Sequence, residues 1–259
     1  MPTANFSGWR GDDDGQYEKY EVSLEDGMVV LDVIHKIQAE QAGDLAVRWN
    51  CKAGKCGSCS AEINGHPRLQ CMTRMDEFED GEEVIVSPLK AFPLIKDLVT
   101  DVKYNYDKAK TIPFVDLEEP AEGDVRRMAQ IDIERVQEFH KCIECYMCQD
   151  VCHVIRDHPE NQDAFAGPKF FVQLASVAMH PLDQNPKSDT VSHGFGLEYC
   201  NITKCCTEVC PEGIKITDNA IIPLKERRAD ELYDPLRMIG RSVSYTHLRA
   251  HETASYLVC

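Results

Sequence analysis

Cys51-Lys-Ala-Gly-Lys-Cys56-Gly-Ser-Cys59, running on into Ser60-Ala-Glu-Ile-Asn-Gly-His-Pro-Arg-Leu69 and then Cys71, decides how the first part of the chain is read. Three cysteines are separated by four residues and then by two, and the residues between them include the small Ala53, Gly54, Gly57 and Ser58. Such a loop can turn tightly and aim several backbone N–H groups at the sulfurs, and glycine allows the φ values that this requires. Ala61-Glu62-Ile63, Asn64-Gly65 and Arg68-Leu69 predict a short hairpin that carries Cys71 back toward the loop. Upstream, Tyr20, Val22 and Leu24 alternate with polar neighbours as a strand does, and Val29–Ala39 has apolar residues at helical spacing (Val30, Val33, Ile34, Ile37). Glu83 to Val86 can close the sheet. Strand, helix, cysteine loop and hairpin together predict a β-grasp arrangement.

The chain holds thirteen cysteines in 259 residues. In a reducing compartment so many point to metal rather than to disulfides. Twelve fall into three blocks, Cys51–Cys71, Cys142–Cys152 and Cys200–Cys210, and the thirteenth is the last residue, Cys259. The first block has the opening spacing of plant-type ferredoxins, whose four thiolates hold a [2Fe–2S] cluster. Cys51, Cys56, Cys59 and Cys71 are its candidate ligands, although Cys71 comes earlier than the last cysteine of a plant ferredoxin. The competing reading is a zinc site on the same four residues, which usually shows paired Cys-x2-Cys units where only one is present here.

Cys142-x2-Cys145-x2-Cys148-x3-Cys152 is the bacterial ferredoxin run, in which three cysteines hold one cubane and the fourth crosses to the other cluster. The third block, Cys200-x2-Thr203-x2-Cys206-x3-Cys210-Pro211, follows the same template with threonine at the second position. By the crossing rule Cys210 joins Cys142, Cys145 and Cys148 on a [4Fe–4S] cluster. Cys152, Cys200 and Cys206 remain for a second cluster. Thr203 offers no thiolate for a fourth iron, which favours [3Fe–4S]. Cys205 is either a structural thiol or an alternative ligand.

Ser87 to Ala121 contains Pro88, Pro93, Pro113 and Pro120 and reads as a connector, with Phe92–Val102 spaced as one short helix. The second part reads as helical: Gly167-Pro168 opens a helix whose apolar face (Phe170, Phe171, Leu174, Val177, Ala178) runs toward Pro181. Another helix is expected after Thr217, strained or kinked at Pro223. The fold class is therefore α+β. A β-grasp plant-type ferredoxin domain over 1–105 precedes an all-α bacterial-ferredoxin-like domain over 106–241.

The formal net charge of −16 argues against a nucleic-acid partner and against docking on anionic lipid through a basic patch. The start of the chain has no charged-then-apolar leader pattern, and no stretch is apolar for the length of a membrane span. The expected location is the cytoplasm or the cytoplasmic side of the cell membrane, reached through a protein partner.

A [2Fe–2S] domain followed by a [4Fe–4S]/[3Fe–4S] domain resembles the iron–sulfur subunit of succinate dehydrogenase and fumarate reductase, in its actinobacterial form. The resemblance covers roughly residues 17 to 235. It rests on the Cys51–Cys59 loop, on Phe92-Pro-Leu-Ile-Lys-Asp-Leu-Val99, and on the two later blocks with Cys210-Pro211. It implies a flavoprotein partner with FAD, electron passage singly through the three clusters, and membrane-anchor subunits, with or without haem, that hold a quinone near the [3Fe–4S] cluster. It implies no catalytic residue in this chain, so His140, His153 and His193 are expected to be structural. A related alternative is a fumarate reductase working in reverse, or a thiol-linked or heterodisulfide-type reductase. Ubiquinone-reducing members carry a tryptophan and a histidine where this chain has Asp157 and Asn201, which points to menaquinone. The stretch Ser242–Cys259 resembles nothing in the family and is expected to be an artefactual replacement of the C-terminus.

Overall fold

The computed structural model describes residues 3–120, 122–184, 194–233 and 235. His193 and the stretch from Ser242 lie outside the described residues. The N-terminal half is built on a five-stranded mixed sheet: β1 (Thr3–Arg10), β2 (Gln16–Ser23), β3 (Ser60–Ile63), β4 (His66–Leu69) and β5 (Glu83–Ser87), in the order β2-β1-β5-β3-β4. β1 pairs antiparallel with β2 and parallel with β5, where Phe6 faces Val84 and Gly8 faces Val86. β3 and β4 form the expected hairpin about Asn64 and Gly65, both with positive φ. β1 is a strand that the patterns above do not single out. Leu24 falls just beyond β2.

Helix α1 (Val30–Glu40) covers one face of the sheet. Val30, Val33, Ile34 and Ile37 are completely buried against Phe6, Val22, Ile63, Val84 and Val86. Each such side chain contributes roughly 1.5–3 kcal/mol by leaving water. Asp32 accepts a hydrogen bond from the Val29 N–H and so satisfies a donor at the helix start.

Phe92–Val102 is not the short helix its spacing suggests. It is a small hairpin of β6 (Leu94–Lys96) and β7 (Val99–Thr100). Asp97 turns the chain with φ 52°, and its buried carboxylate accepts hydrogen bonds from Gly11 N and Ala46 N, both at 2.7 Å. Arg10 also reaches it, with Nε at 3.3 Å. Leu98 then enters the sheet core. Satisfying a buried carboxylate is worth more than a weak helical preference, so the tertiary contacts decide.

A helix does follow, α2 (Lys103–Ala109), in which Tyr104 meets Phe170 edge-on. The helices that follow among the described residues are α3 (Gln130–Gln137), α4 (Met147–Asp150), α5 (His153–Arg156), α6 (Pro168–Ala178), α7 (Cys205–Glu208) and α8 (Ile222–Tyr233). Proline opens α6 as expected, and Phe170, Phe171 and Leu174 are fully buried. A π-type turn over Ile216–Ile221 leads into α8. That wider turn accommodates Pro223, the second residue of α8, at the helix start.

The two halves share contacts. Leu89, Ala91 and Phe92 of the connector belong to the helical core. Gln162 Nε2 donates to Ala91 O at 3.0 Å, and Ala91 N donates to Asp150 Oδ1 at 2.9 Å. Among the described residues no helix is long and apolar enough to cross a membrane.

Candidate functional site

All twelve cysteines of the three blocks are free thiols, and the fold gathers them in three places. The first is the loop between α1 and β3, together with Cys71 just past β4. Cys51 is exposed, Cys56 is half-buried, and Cys59 and Cys71 are buried. Ala53 N and Lys55 N approach Cys51 Sγ at 3.4 and 3.3 Å, and Cys51 N approaches Cys56 Sγ at 3.5 Å. Burial opposes ionisation of Cys56, but hydrogen bonds from Ser58 and Cys51 bring its thiol down to about 7. Burial pushes Cys59 up to about 12, with Cys71 hydrogen-bonded to it and Cys56 within electrostatic range.

The second and third blocks repeat one backbone design. Glu144 and Tyr146, on either side of Cys145, have φ 55° and 60°. Ile202 and Lys204, on either side of Thr203, have φ 63° and 65°. A one-turn helix follows each, α4 and α7, and each ends shortly before the next cysteine, Cys152 or Cys210. Left-handed residues at these places turn successive N–H groups toward one concavity, the kind of cradle that holds anionic sulfur clusters. For a β-branched residue such as Ile202 this conformation is strained and persists only where the surroundings impose it.

The two runs also exchange partners in space. Burial raises the thiols of Cys142, Cys145 and Cys148, that of Cys145 to about 12; Cys210 lies within electrostatic range of all three, and Cys206 within range of Cys148. Burial raises Cys152 to about 12, where its electrostatic neighbours are Cys205 and Cys206 rather than its own run. Cys206, likewise raised by burial, faces Cys205 and Cys200 and lies 3.4 Å from Thr217 Oγ1. Cys205 is only half-buried, with Thr203 Oγ1 at 3.1 Å from its sulfur.

Among the described residues no three His, Cys, Asp or Glu side chains converge on a single metal ion. The donors fit clusters on chemical grounds: thiols packed together are soft ligands for iron, and binding it releases their protons. Loop N–H groups aimed at sulfur then tune what is bound.

Two features escape sequence reasoning. Lys169 is 3% exposed, with Nζ 3.0 Å from Glu144 Oε1 and 3.1 Å from Gln173 Oε1, and its charge bears on Cys142. A cation embedded in the apolar first turn of α6 is its only signal. Glu62 and Asp150, both completely buried, form the second feature. Arg156 Nη1 lies 2.6 Å from Glu62 and 3.7 Å from Asp150, and Lys90 Nζ lies 3.0 Å from Glu62. Burial pushes Asp150 up to about 7, against its hydrogen bond from Ala91 N. Strand alternation assigns Glu62 to the outer face of the hairpin, where Arg156 of the helical half and Lys90 of the connector meet it.

Comparison with known proteins agrees with this geometry. Residues 6–107 match the family described as a 2Fe-2S iron-sulfur cluster binding domain, and residues 138–214 match a 4Fe-4S dicluster domain. Fold and cysteine loops thus define an iron–sulfur protein, with a sheet-rich [2Fe–2S] domain ahead of a helical [4Fe–4S] dicluster domain.

The chain belongs to the iron–sulfur subunits of succinate dehydrogenase and fumarate reductase. It is 30% identical to the fumarate reductase iron-sulfur subunit of Mycobacterium tuberculosis, over 76% of this chain and 80% of that one. It resembles a chain of the Mycobacterium smegmatis Sdh1 complex in the apo form, with a TM-score of 0.88 and 59% identity, covering 91% of this chain and 99% of that one. It is also 31% identical to one subunit of the fumarate reductase (CoM/CoB) of Methanothermobacter marburgensis, over 91% of this chain. It spans only 46% of that relative's length, and less than half the length of two further relatives from Methanococcus maripaludis and Methanocaldococcus jannaschii.

Proposed function

We propose that this chain carries electrons one at a time between the FAD of a flavoprotein subunit, where succinate is oxidised, and a quinone held by membrane-anchor subunits. Clusters supply the one-electron sites when bound. Cys51, Cys56, Cys59 and Cys71 hold [2Fe–2S]; Cys142, Cys145, Cys148 and Cys210 hold [4Fe–4S]; Cys152, Cys200 and Cys206 hold [3Fe–4S]. The observation that carries this reading is the exchange of partners between the second and third blocks, with Thr203 on the turn that Cys145 occupies in the other run. The sheet order β2-β1-β5-β3-β4 with α1 packed on one face supports a β-grasp domain, and the boundary belongs near residue 105. The chain sits peripherally on the cytoplasmic side of the membrane.

The chain's own residues bind and insulate. Loop N–H groups stabilise the sulfurs, Lys169 sets a positive charge beside Cys142, and the aromatic core keeps water from the inner cysteines. Menaquinone is the acceptor: Asp157 and Asn201 stand where ubiquinone-reducing members have tryptophan and histidine, and the Asn201 amide meets His153 Nε2 at 2.9 Å. A purified complex with its flavoprotein and membrane subunits is expected to reduce menaquinone analogues with succinate faster than ubiquinone analogues. The reverse order would contradict the assignment.

The match to the methanogen fumarate reductase favours a second reading, a subunit that draws electrons from thiols to reduce fumarate. Fumarate reduction driven by a thiol pair and indifferent to quinone would establish it instead.

A further inference from the structure

We propose that Gly57 acts as a spacer, holding the first cysteine loop against the second and setting the gap an electron crosses between their clusters; the proposal rests on the cluster assignment above. Gly57 lies between Cys56 and Cys59 with φ 66°. A Cβ placed on it would stand 2.6 Å from Cys145 Cα, 2.7 Å from Cys145 N and 2.7 Å from Ile143 O. All three are backbone atoms of the second block, which no rotamer change can move aside. Any side chain at this position forces the two cysteine loops apart.

Other contacts hold the same junction. Lys55 Nζ reaches Glu212 Oε1 at 3.2 Å, two residues beyond Cys210. Cys59 and Cys71 share a buried apolar cluster with Met147, which lies between Cys145 and Cys148. A cleft of about 380 Å³ runs along the seam, lined by Cys56, Gly57, Ser58, Cys145 and Tyr146. Gly54, in the same first loop and with the same φ of 66°, is different: its Cβ would meet only the flexible end of Met72. Backbone conformation therefore accounts for Gly54, whereas Gly57 is dictated by its neighbour. One electron crosses here, with no proton moved and no bond made or broken, so the distance between the loops is what the protein controls.

The test is electron paramagnetic resonance of the cluster-loaded full chain. In the reduced wild type, the [2Fe–2S] signal should relax faster because of the reduced cluster on the second loop. Gly57→Ala should weaken that enhancement several-fold while keeping the [2Fe–2S] signal itself. Lys55→Glu, which sets like charges opposite Glu212, should weaken it too, and the double variant Lys55→Glu/Glu212→Lys should restore it. Wild-type relaxation in Gly57→Ala overturns the proposal. If Gly57→Ala assembles no [2Fe–2S] cluster, the charge swap decides, and unchanged relaxation in Lys55→Glu overturns it. A wild type with no iron–sulfur signals refutes the cluster assignment itself, and this proposal with it.

Discussion

Thr203 stands on a backbone turn of the same shape as that of Cys145: each is flanked by two left-handed residues, Ile202 and Lys204 in one case and Glu144 and Tyr146 in the other. The turn is therefore already shaped to present a sulfur where threonine presents a hydroxyl. Thr203→Cys should supply the fourth ligand and convert [3Fe–4S] to [4Fe–4S]. In the oxidised variant the [3Fe–4S] resonance should disappear, and the iron content should rise. A variant that keeps the wild-type resonance would show that Thr203 does not face the cluster.

Arg156 links the two halves through Glu62, which has no exposure to water. Arg156→Met takes the cation from buried Asp150 and leaves Glu62 with Lys90, and should cost about 3 kcal/mol, since removing one partner of a buried ion pair strands a charge. Chemical denaturation of the full chain measures this. A loss below about 0.5 kcal/mol, the range of ordinary surface substitutions, would mean that the network does not hold the halves together.

His35 packs edge-on against Trp49 beside the first loop, and its buried Nε2 has no hydrogen-bond partner among the described residues. Burial, and then the charge of Lys52, lower its pKa from the usual 6.5. The folded chain therefore binds this proton more weakly than the unfolded chain. Its contribution to stability is present above about pH 6.5 and is lost as the pH falls through the folded value. Denaturation midpoints followed toward acid should fall more steeply for wild type than for His35→Phe, which keeps the ring contact. Parallel curves would show that His35 does not titrate in this way.

Lys169 carries its charge almost fully buried beside Cys142. Lys169→Met should lower the reduction potential of the cluster on that run, because the added electron loses a nearby cation. A shift of up to about 60 mV corresponds to a tenfold change for one electron. Redox titration followed by spectroscopy reads it directly, and an unchanged potential would assign Lys169 a purely structural role.

The cysteine spacings, α1, the β3–β4 hairpin and the start of α6 are legible in the sequence because each is a local pattern with its own chemistry. Spacing alone misreads Phe92–Val102, because its turn is imposed by Asp97 binding backbone N–H groups of Gly11 and Ala46, far away in sequence. It also misses β1, whose pairing with β5 joins distant segments. Glu62 looks like an outward-facing hairpin residue, and Gly57 looks like a loop glycine no different from Gly54. In both cases the deciding neighbour belongs to the other half of the chain, and spacing within one segment carries no trace of it.

The central claim is that three clusters share these cysteines, the last with only three thiolates. Electron paramagnetic resonance of the native protein, oxidised and then reduced, tests it most directly. The account predicts a [3Fe–4S] resonance in the oxidised state and a [2Fe–2S] resonance on reduction. Silence in both states, with zinc bound in place of iron, would contradict it.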